Sequence, residues 1–296
     1  MIAELYSSEV PASALQPSDY AKNEKPLLVF SHANGFSAST YRKLFGLLGE
    51  RFTVAAVERF GHTTQFPVTN NWPHLVQELG EFVQLQLARH NCKKVYLVGH
   101  SLGGFLSIML SYQQPQWVER LVLLDSPIVT GKYAWLLRAA KALNQDERFS
   151  PARFAKVRRT QWPSIEAAYA HFASKPLFAN WDTDMLRDYV THGTRPCDAG
   201  CELVFSREVE YQIFRCFPDN LGSIARAPVP VPFSFVRGTD SEEVRIIGLR
   251  KTQELAMGRV LSVPGGHLFP MENAQLTADA VSRLLTNDLS KPVTTP

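Results

Sequence analysis

No stretch of the sequence approaches the ~20 consecutive apolar residues that a membrane-spanning helix needs, so no span is expected. The opening residues, Met1-Ile2-Ala3-Glu4-Leu5, lack the basic region and long apolar run of a secretory signal. Cysteine is scarce. Cys92, Cys197, Cys201 and Cys216 form no C-x-x-C pair, and none lies beside a histidine at metal-ligand spacing. That excludes a disulfide framework and a zinc site as organising features, and it points to reduced thiols in a cytoplasmic protein, although Cys197 and Cys201 are close enough in sequence to bridge. A surplus of one charge is missing as well: a net charge of +3 is too weak a basic footprint for a nucleic-acid partner. Internal repeats and low-complexity tracts are also lacking.

What is present is an ordinary globular composition, 45% hydrophobic and 20% charged over 296 residues. That length suits one core domain carrying an insertion. Strand-like apolar runs alternate with helical patterns through the first half. Leu27 to Phe30 and Phe52 to Val57 read as strands, and Tyr41 to Leu48 as a short helix between them. Trp72, Leu75, Val76, Leu79, Phe82, Val83 and Leu87 trace one face of a helix over Trp72 to Arg89, with Asn71 as N-cap and Pro73 in the first turn. Trp117 to Leu124 is another strand, closing on Asp125-Ser126-Pro127. This order predicts a parallel sheet covered on both faces. Short strands at Ile2 to Tyr6 and Ala14 to Tyr20 are expected to precede it.

The alternation stops at Ile128 and resumes near Pro228. Between them the patterns are helical, with no confident strand, and the stretch holds 14 of the 32 aromatic residues. We therefore expect a core domain from 1–127 and 228–296, with a helical cap at 128–227. Most of its rings should pack that cap, and a few should line an apolar pocket. Val231 to Val236 then reads as a strand, Ser241 to Glu254 as a helix, Arg259 to Val263 as the last strand and Asn273 to Leu285 as a terminal helix, followed by a polar tail from Ser290.

The most informative stretch is Val95-Tyr96-Leu97-Val98-Gly99-His100-Ser101-Leu102-Gly103-Gly104, an apolar strand running into Gly-X-Ser-X-Gly and then a helix-like run. A sharp turn there lifts Ser101 above the strand end, at a helix start where N–H groups favour negative charge. A serine hydroxyl is a weak nucleophile at neutral pH. It needs a base, and the base needs a carboxylate to fix its tautomer. Three strand ends provide Ser101, Asp240 of Gly238-Thr239-Asp240, and His267 of Gly265-Gly266-His267. Asp125, one strand earlier, is the rival for the acid, and Asp240 has the competing role of capping the next helix together with Ser241. His32, His62 and His100 read as structural, or as supports behind the reacting groups.

In order and context these motifs resemble the α/β-hydrolase fold of capped serine hydrolases. The resemblance covers nearly the whole chain. It implies that the loop His32-Ala33-Asn34-Gly35 stands where the family has His-Gly-X, so that Asn34 supplies one oxyanion N–H and Leu102 the other, with Ala33 departing from the usual glycine. Arg59-Phe60-Gly61-His62 resembles the family's Arg-Gly-His-Gly turn, with Phe60 inserted and Thr63 replacing the last glycine. The expected activity is hydrolysis of a small or medium apolar carboxylic ester through an acyl-serine, without cofactor or metal. Cleavage of a C–C bond in a diketone or ring-cleavage product is the enzymatic alternative, and a ligand-binding receptor on the same fold is the alternative of another class. A serine nucleophile argues against dehalogenase and epoxide-hydrolase chemistry, which uses aspartate. The sequence leaves the oligomeric state open.

Overall fold

The computed structural model describes residues 25–145, 147 and 150–287. The strands expected at Ile2 to Tyr6 and Ala14 to Tyr20, and the polar tail, lie outside the described residues. Strands β1 (Leu27–Ser31), β2 (Thr53–Ala56), β3 (Val95–His100), β4 (Val118–Leu124), β8 (Phe233–Gly238) and β9 (Val260–Val263) form one sheet in the order β2-β1-β3-β4-β8-β9. Every pairing in it is parallel. The remaining strands, β5 (Gln161–Trp162), β6 (Thr194–Cys197) and β7 (Gly200–Leu203), make a small antiparallel sheet of their own.

The parallel strands are mostly apolar because both faces are covered, with the charged residues Glu119, Arg120 and Arg237 at strand ends. Alternate residues divide between two cores. Leu28, Phe30, Val98, Val122 and Leu124 meet α1 (Arg42–Leu48) and the terminal helix on one side. Val29, Leu97, Leu121, Leu123 and Phe235 meet α2 (Pro73–Arg89) and α3 (Leu102–Gln113) on the other. Each such side chain, fully removed from water, contributes about 1.5–3 kcal/mol before entropy is counted.

Helices α4 (Gly131–Ala142), α5 (Ala152–Lys156), α6 (Ile165–Ala173), α7 (Thr183–Gly193), α8 (Arg207–Arg215) and α9 (Leu221–Ile224) follow β4. The small sheet lies among them, where a purely helical segment is expected from sequence. Its strands are two to four residues long and include Pro196 and Gly200, so no period-two pattern marks them. After β8 come α10 (Glu242–Ile247), α11 (Arg250–Ala256), α12 (Phe269–Glu272) and α13 (Ala274–Thr286). The single helix expected over Ser241 to Glu254 is therefore two. Gly248, at φ +82°, ends the first. Asn71 is not the cap of α2 either: Trp72 occupies that position in a left-handed conformation, while Asn71 Oδ1 accepts from the Asp219 N–H at 2.9 Å.

No helix among the described residues is long and apolar enough to cross a membrane. The four cysteines are free.

Candidate active site

The site lies outside the carboxyl ends of β1, β3, β4 and β8, flanking the β1/β3 position where the strand order reverses and where open α/β sheets form a crevice. β3 ends at His100 and α3 begins at Leu102, leaving one residue for the whole turn. Ser101 takes φ +52°, ψ −115°, which costs a non-glycine residue about 1–3 kcal/mol. Its neighbours make the turn sterically achievable. A Cβ at Gly99 would fall 2.2 Å from the Gly103 carbonyl oxygen, and one at Gly103 would fall 2.0 Å from the Ser31 carbonyl oxygen. Ser101 N–H donates to Leu124 O at 3.0 Å, and the Ser126 hydroxyl donates to Ser101 O at 2.9 Å. The strained residue is thus held from the neighbouring strand.

His267 sits between β9 and α12. Its Nε2 is 3.0 Å from Ser101 Oγ, and its Nδ1 is 2.7 Å from Asp125 Oδ2. The carboxylate can only accept from Nδ1–H, so Nε2 is left to accept the serine proton. Burial by itself would depress the His267 pKa, but the Asp125 hydrogen bond, with the nearby negative charges of Glu243 and Asp125, outweighs it and holds the imidazole above its ordinary 6.5. The Glu243 carboxylate lies 3.6 Å from Nδ1.

Asp240, expected opposite His267, is elsewhere. It is exposed, its carboxylate accepts from the Thr239 hydroxyl at 2.9 Å, and its N–H donates to Gly265 O. The reason lies at the end of β4, where Asp125 turns to φ +49° and carries its side chain under the histidine. There Asp125 is 1% exposed and fully engaged: Oδ1 accepts from Gly238 N–H at 3.0 Å, and Oδ2 accepts from the Ser241 hydroxyl as well as from His267. Ser241 also accepts from Val244 N–H and caps α10. The carboxylate that meets His267 therefore comes from the end of β4, and Gly238 of β8 with Ser241 just beyond it supply donors that hold it.

Asn34 follows β1 and is buried, and Leu102 is the first residue of α3, where N–H groups have no acceptor within the helix. Gly103 N–H donates to His32 O at 3.1 Å, which draws these two loops together. The Asn34 side chain is held from above, its Nδ2 donating to Glu210 O in α8 at 3.0 Å. Arg158 pairs with the Glu210 carboxylate at 2.6 Å and also donates to the Tyr189 hydroxyl. His62 Nε2 accepts from Ser206 N–H and Arg59 donates to Val204 O, so residues from the 158–210 region lock onto the loops at the strand ends. His32 and His62 are kept neutral by burial, at about 3 and about 4, and hold backbone groups of the turn at 59–62. Sequence reasoning missed Ser241, Glu210 and Arg158 as neighbours of the site, because nothing local in their segments marks them.

Among the described residues, Asp125, Glu243 and His267 bring donor atoms within 4.8 Å of one another. A cation there would have to displace the Nδ1 proton that binds His267 to Asp125. The geometry suits proton transfer better: a hydroxyl on a strained turn, an imidazole in the accepting tautomer, and a buried carboxylate behind it.

The model of the alpha/beta hydrolase family matches residues 28–280. The chain belongs to that family. This alpha/beta hydrolase is an enzyme of the hydrolase class. It is 25% identical over 273 residues to 2-(acetamidomethylene)succinate hydrolase of Mesorhizobium japonicum, covering 89% of each chain. A crystal structure of E-2-(acetamidomethylene)succinate hydrolase superposes with a TM-score of 0.70 at 26% identity, over 90% of this chain and 93% of that one. A shorter match, 32% identical over 100 residues, links 34% of this chain to 37% of the putative carbamate hydrolase RutD of Serratia proteamaculans.

Proposed function

We propose that this alpha/beta hydrolase cleaves a small or medium carboxylic ester through an acyl-serine. The observation that carries the proposal is the line from Asp125 through His267 to Ser101, with contacts of 2.7 and 3.0 Å. Ser101 Oγ attacks the carbonyl carbon as its proton passes to His267 Nε2. The oxyanion that forms is stabilised by N–H groups of Asn34 and Leu102. The intermediate collapses, and the alcohol leaves with the proton from His267. Water then attacks the acyl carbon, giving its proton to His267, and Ser101 departs with that proton. Asp125 fixes the tautomer and offsets the imidazolium charge, the part expected of Asp240 from sequence. These steps use only groups of the chain and water. Residues 128–227 serve as the cap over this centre, in a cytoplasmic protein acting on a small molecule.

The full-length relative named above is a hydrolase of an acetamidomethylene compound. That favours a second reading in which the same residues release a leaving group other than an alcohol. It includes C–C cleavage of a diketone, where the departing carbon takes the proton from His267. The test is a panel of p-nitrophenyl acetate and butyrate, an N-acyl amide and a β-diketone, run beside labelling with a fluorophosphonate. Ester turnover with labelling at Ser101, both lost in Ser101→Ala, supports the first reading. Turnover of the amide or diketone alone selects the second. A wild-type protein that neither labels nor turns over any of them refutes both and favours a binding role.

A further inference from the structure

His100 is fully buried directly before Ser101, and the chemistry above gives it no role. Its surroundings are specific. His100 Nε2 lies 2.9 Å from the backbone oxygen of His267, and its Nδ1 lies 2.8 Å from the hydroxyl of Tyr41, which is also fully buried. That hydroxyl in turn lies 3.1 Å from the backbone nitrogen of Ala33. The donors can be assigned without ambiguity. A carbonyl only accepts, so Nε2 carries the proton and Nδ1 accepts. Tyr41 must then donate its proton to Nδ1 and accept from Ala33 N–H. Every group in the chain is neutral, and each donor meets one acceptor.

The two ends of this chain matter. Ala33 precedes Asn34, whose N–H is placed above on the oxyanion. His267 is the base. The loops that carry them come from the ends of β1 and β9, separated in the sheet by β3, β4 and β8. Ala33 and His267 thus lie on loops from strands that are not neighbours in the sheet, and Tyr41 with His100 spans from one backbone to the other. We propose that Tyr41 and His100 are positioning residues: one buried hydrogen-bond chain that holds the oxyanion loop and the histidine loop in register across the nucleophile turn. Neither residue touches substrate. Misplacing a catalytic group by about 1 Å can cost on the order of a hundredfold in rate, so a bridge of this kind affects the chemical step more than binding.

The inference rests on the reading of Ser101, His267 and Asn34 given above, and its test keeps the two apart. The single-turnover rate of fluorophosphonate labelling is measured first. Wild-type protein that does not label at Ser101 sinks that reading, and this one with it. If it labels, Tyr41→Phe, His100→Gln and His100→Leu are compared. Tyr41→Phe should label roughly tenfold or more slowly, with kcat on p-nitrophenyl butyrate falling in parallel and KM within about twofold. His100→Gln retains an N–H that can reach the His267 carbonyl, so it should recover most of the rate lost in His100→Leu. Equal losses in the Gln and Leu variants overturn the inference, as does a folded Tyr41→Phe with wild-type labelling. Should Tyr41→Phe and His100→Leu fail to fold, His100→Gln decides alone: a labelling rate within about threefold of wild type supports the inference, and any slower rate overturns it.

Discussion

Asp125 Oδ2 stands 2.7 Å from His267 Nδ1, and a hydroxyl from the next strand's loop, that of Ser241, donates to the same oxygen. The carboxylate is buried, and each of its oxygens has a donor. Asp125→Asn should therefore act through the tautomer of His267. The amide nitrogen would face Nδ1 as a donor and drive the ring proton to Nε2, where it blocks acceptance from Ser101. A loss in kcat on the order of ten-thousandfold is expected. Asp240→Asn should stay within about twofold, because that carboxylate is exposed and accepts from the Thr239 hydroxyl, away from His267. Activity of the two variants on p-nitrophenyl butyrate is the measurement. A larger loss at position 240 would contradict the assignment of the acid to β4.

The charge around the imidazole sets a pH dependence. His267 must be neutral to accept the serine proton, so kcat/KM falls as pH drops through its pKa. Burial pulls that pKa down, yet the Asp125 hydrogen bond and the Glu243 and Asp125 charges together leave it raised. The acid limb should then lie above 6.5. Glu243 is half exposed; its carboxylate stands 3.6 Å from Nδ1 and 3.5 Å from the Ser241 hydroxyl, and its charge helps to raise the His267 pKa. Glu243→Gln should therefore shift the limb toward lower pH with little change in the plateau. A pH–rate profile checks this; a limb below 6.5, or one that Glu243→Gln leaves in place, would count against it.

Glycine substitutions separate the turn from ordinary helix energetics. In Gly103→Ala the new methyl would meet the Ser31 carbonyl at 2.0 Å, a backbone contact that cannot move aside without shifting β1. Labelling of Ser101 should be lost and the Tm lowered, or the protein should fail to fold. Gly46 lies on the exposed side of α1, and a methyl there meets nothing within 4 Å. Gly46→Ala should add about 1 kcal/mol of helix stability, raising Tm by about 2 °C. Thermal melts of the two variants should move in opposite directions.

Ser101 and His267 were legible because each sits in a short motif at a strand end, Gly-X-Ser-X-Gly and Gly-Gly-His, whose spacing is local. The acid was not. Asp125 and Asp240 both follow buried strands, and the choice between them depends on the left-handed turn at Asp125 and on the donors from Gly238 and Ser241, contacts more than a hundred residues distant. The alternation of strands and helices pointed to the parallel sheet, since its strands are mostly apolar runs such as Leu27 to Phe30 and Leu121 to Leu124. The strands at 161–203 escaped because two to four residues carry no period, and the break at Gly248 escaped because the flanking helices share one apolar pattern. In sequence, Tyr41 reads only as the first residue of a short helix. Its hydroxyl partner, His100, is 59 residues away, and only the fold brings them together.

Glu78 gives a stability prediction independent of the chemistry. It lies on α2, 1% exposed, with Oε2 accepting from Gly61 N–H at 2.9 Å, while Oε1 is buried without a hydrogen-bond partner among the described residues. Burial pushes its pKa up to about 8, against the smaller lowering from the Gly61 hydrogen bond. The ordinary value is 4.5. Between these two values the unfolded chain has lost the proton and the folded chain still holds it. The folded state thus binds more protons, and its stability declines as pH rises from about 4.5 to about 8. Glu78→Gln has no proton to lose, and its amide oxygen can take over the acceptance from Gly61. The difference in Tm between Glu78→Gln and wild type, measured from pH 5 to pH 8 at one scan rate, should therefore grow steadily in favour of the variant. A difference that stays flat across that range would mean that the carboxyl ionises in the folded protein as readily as in the unfolded chain.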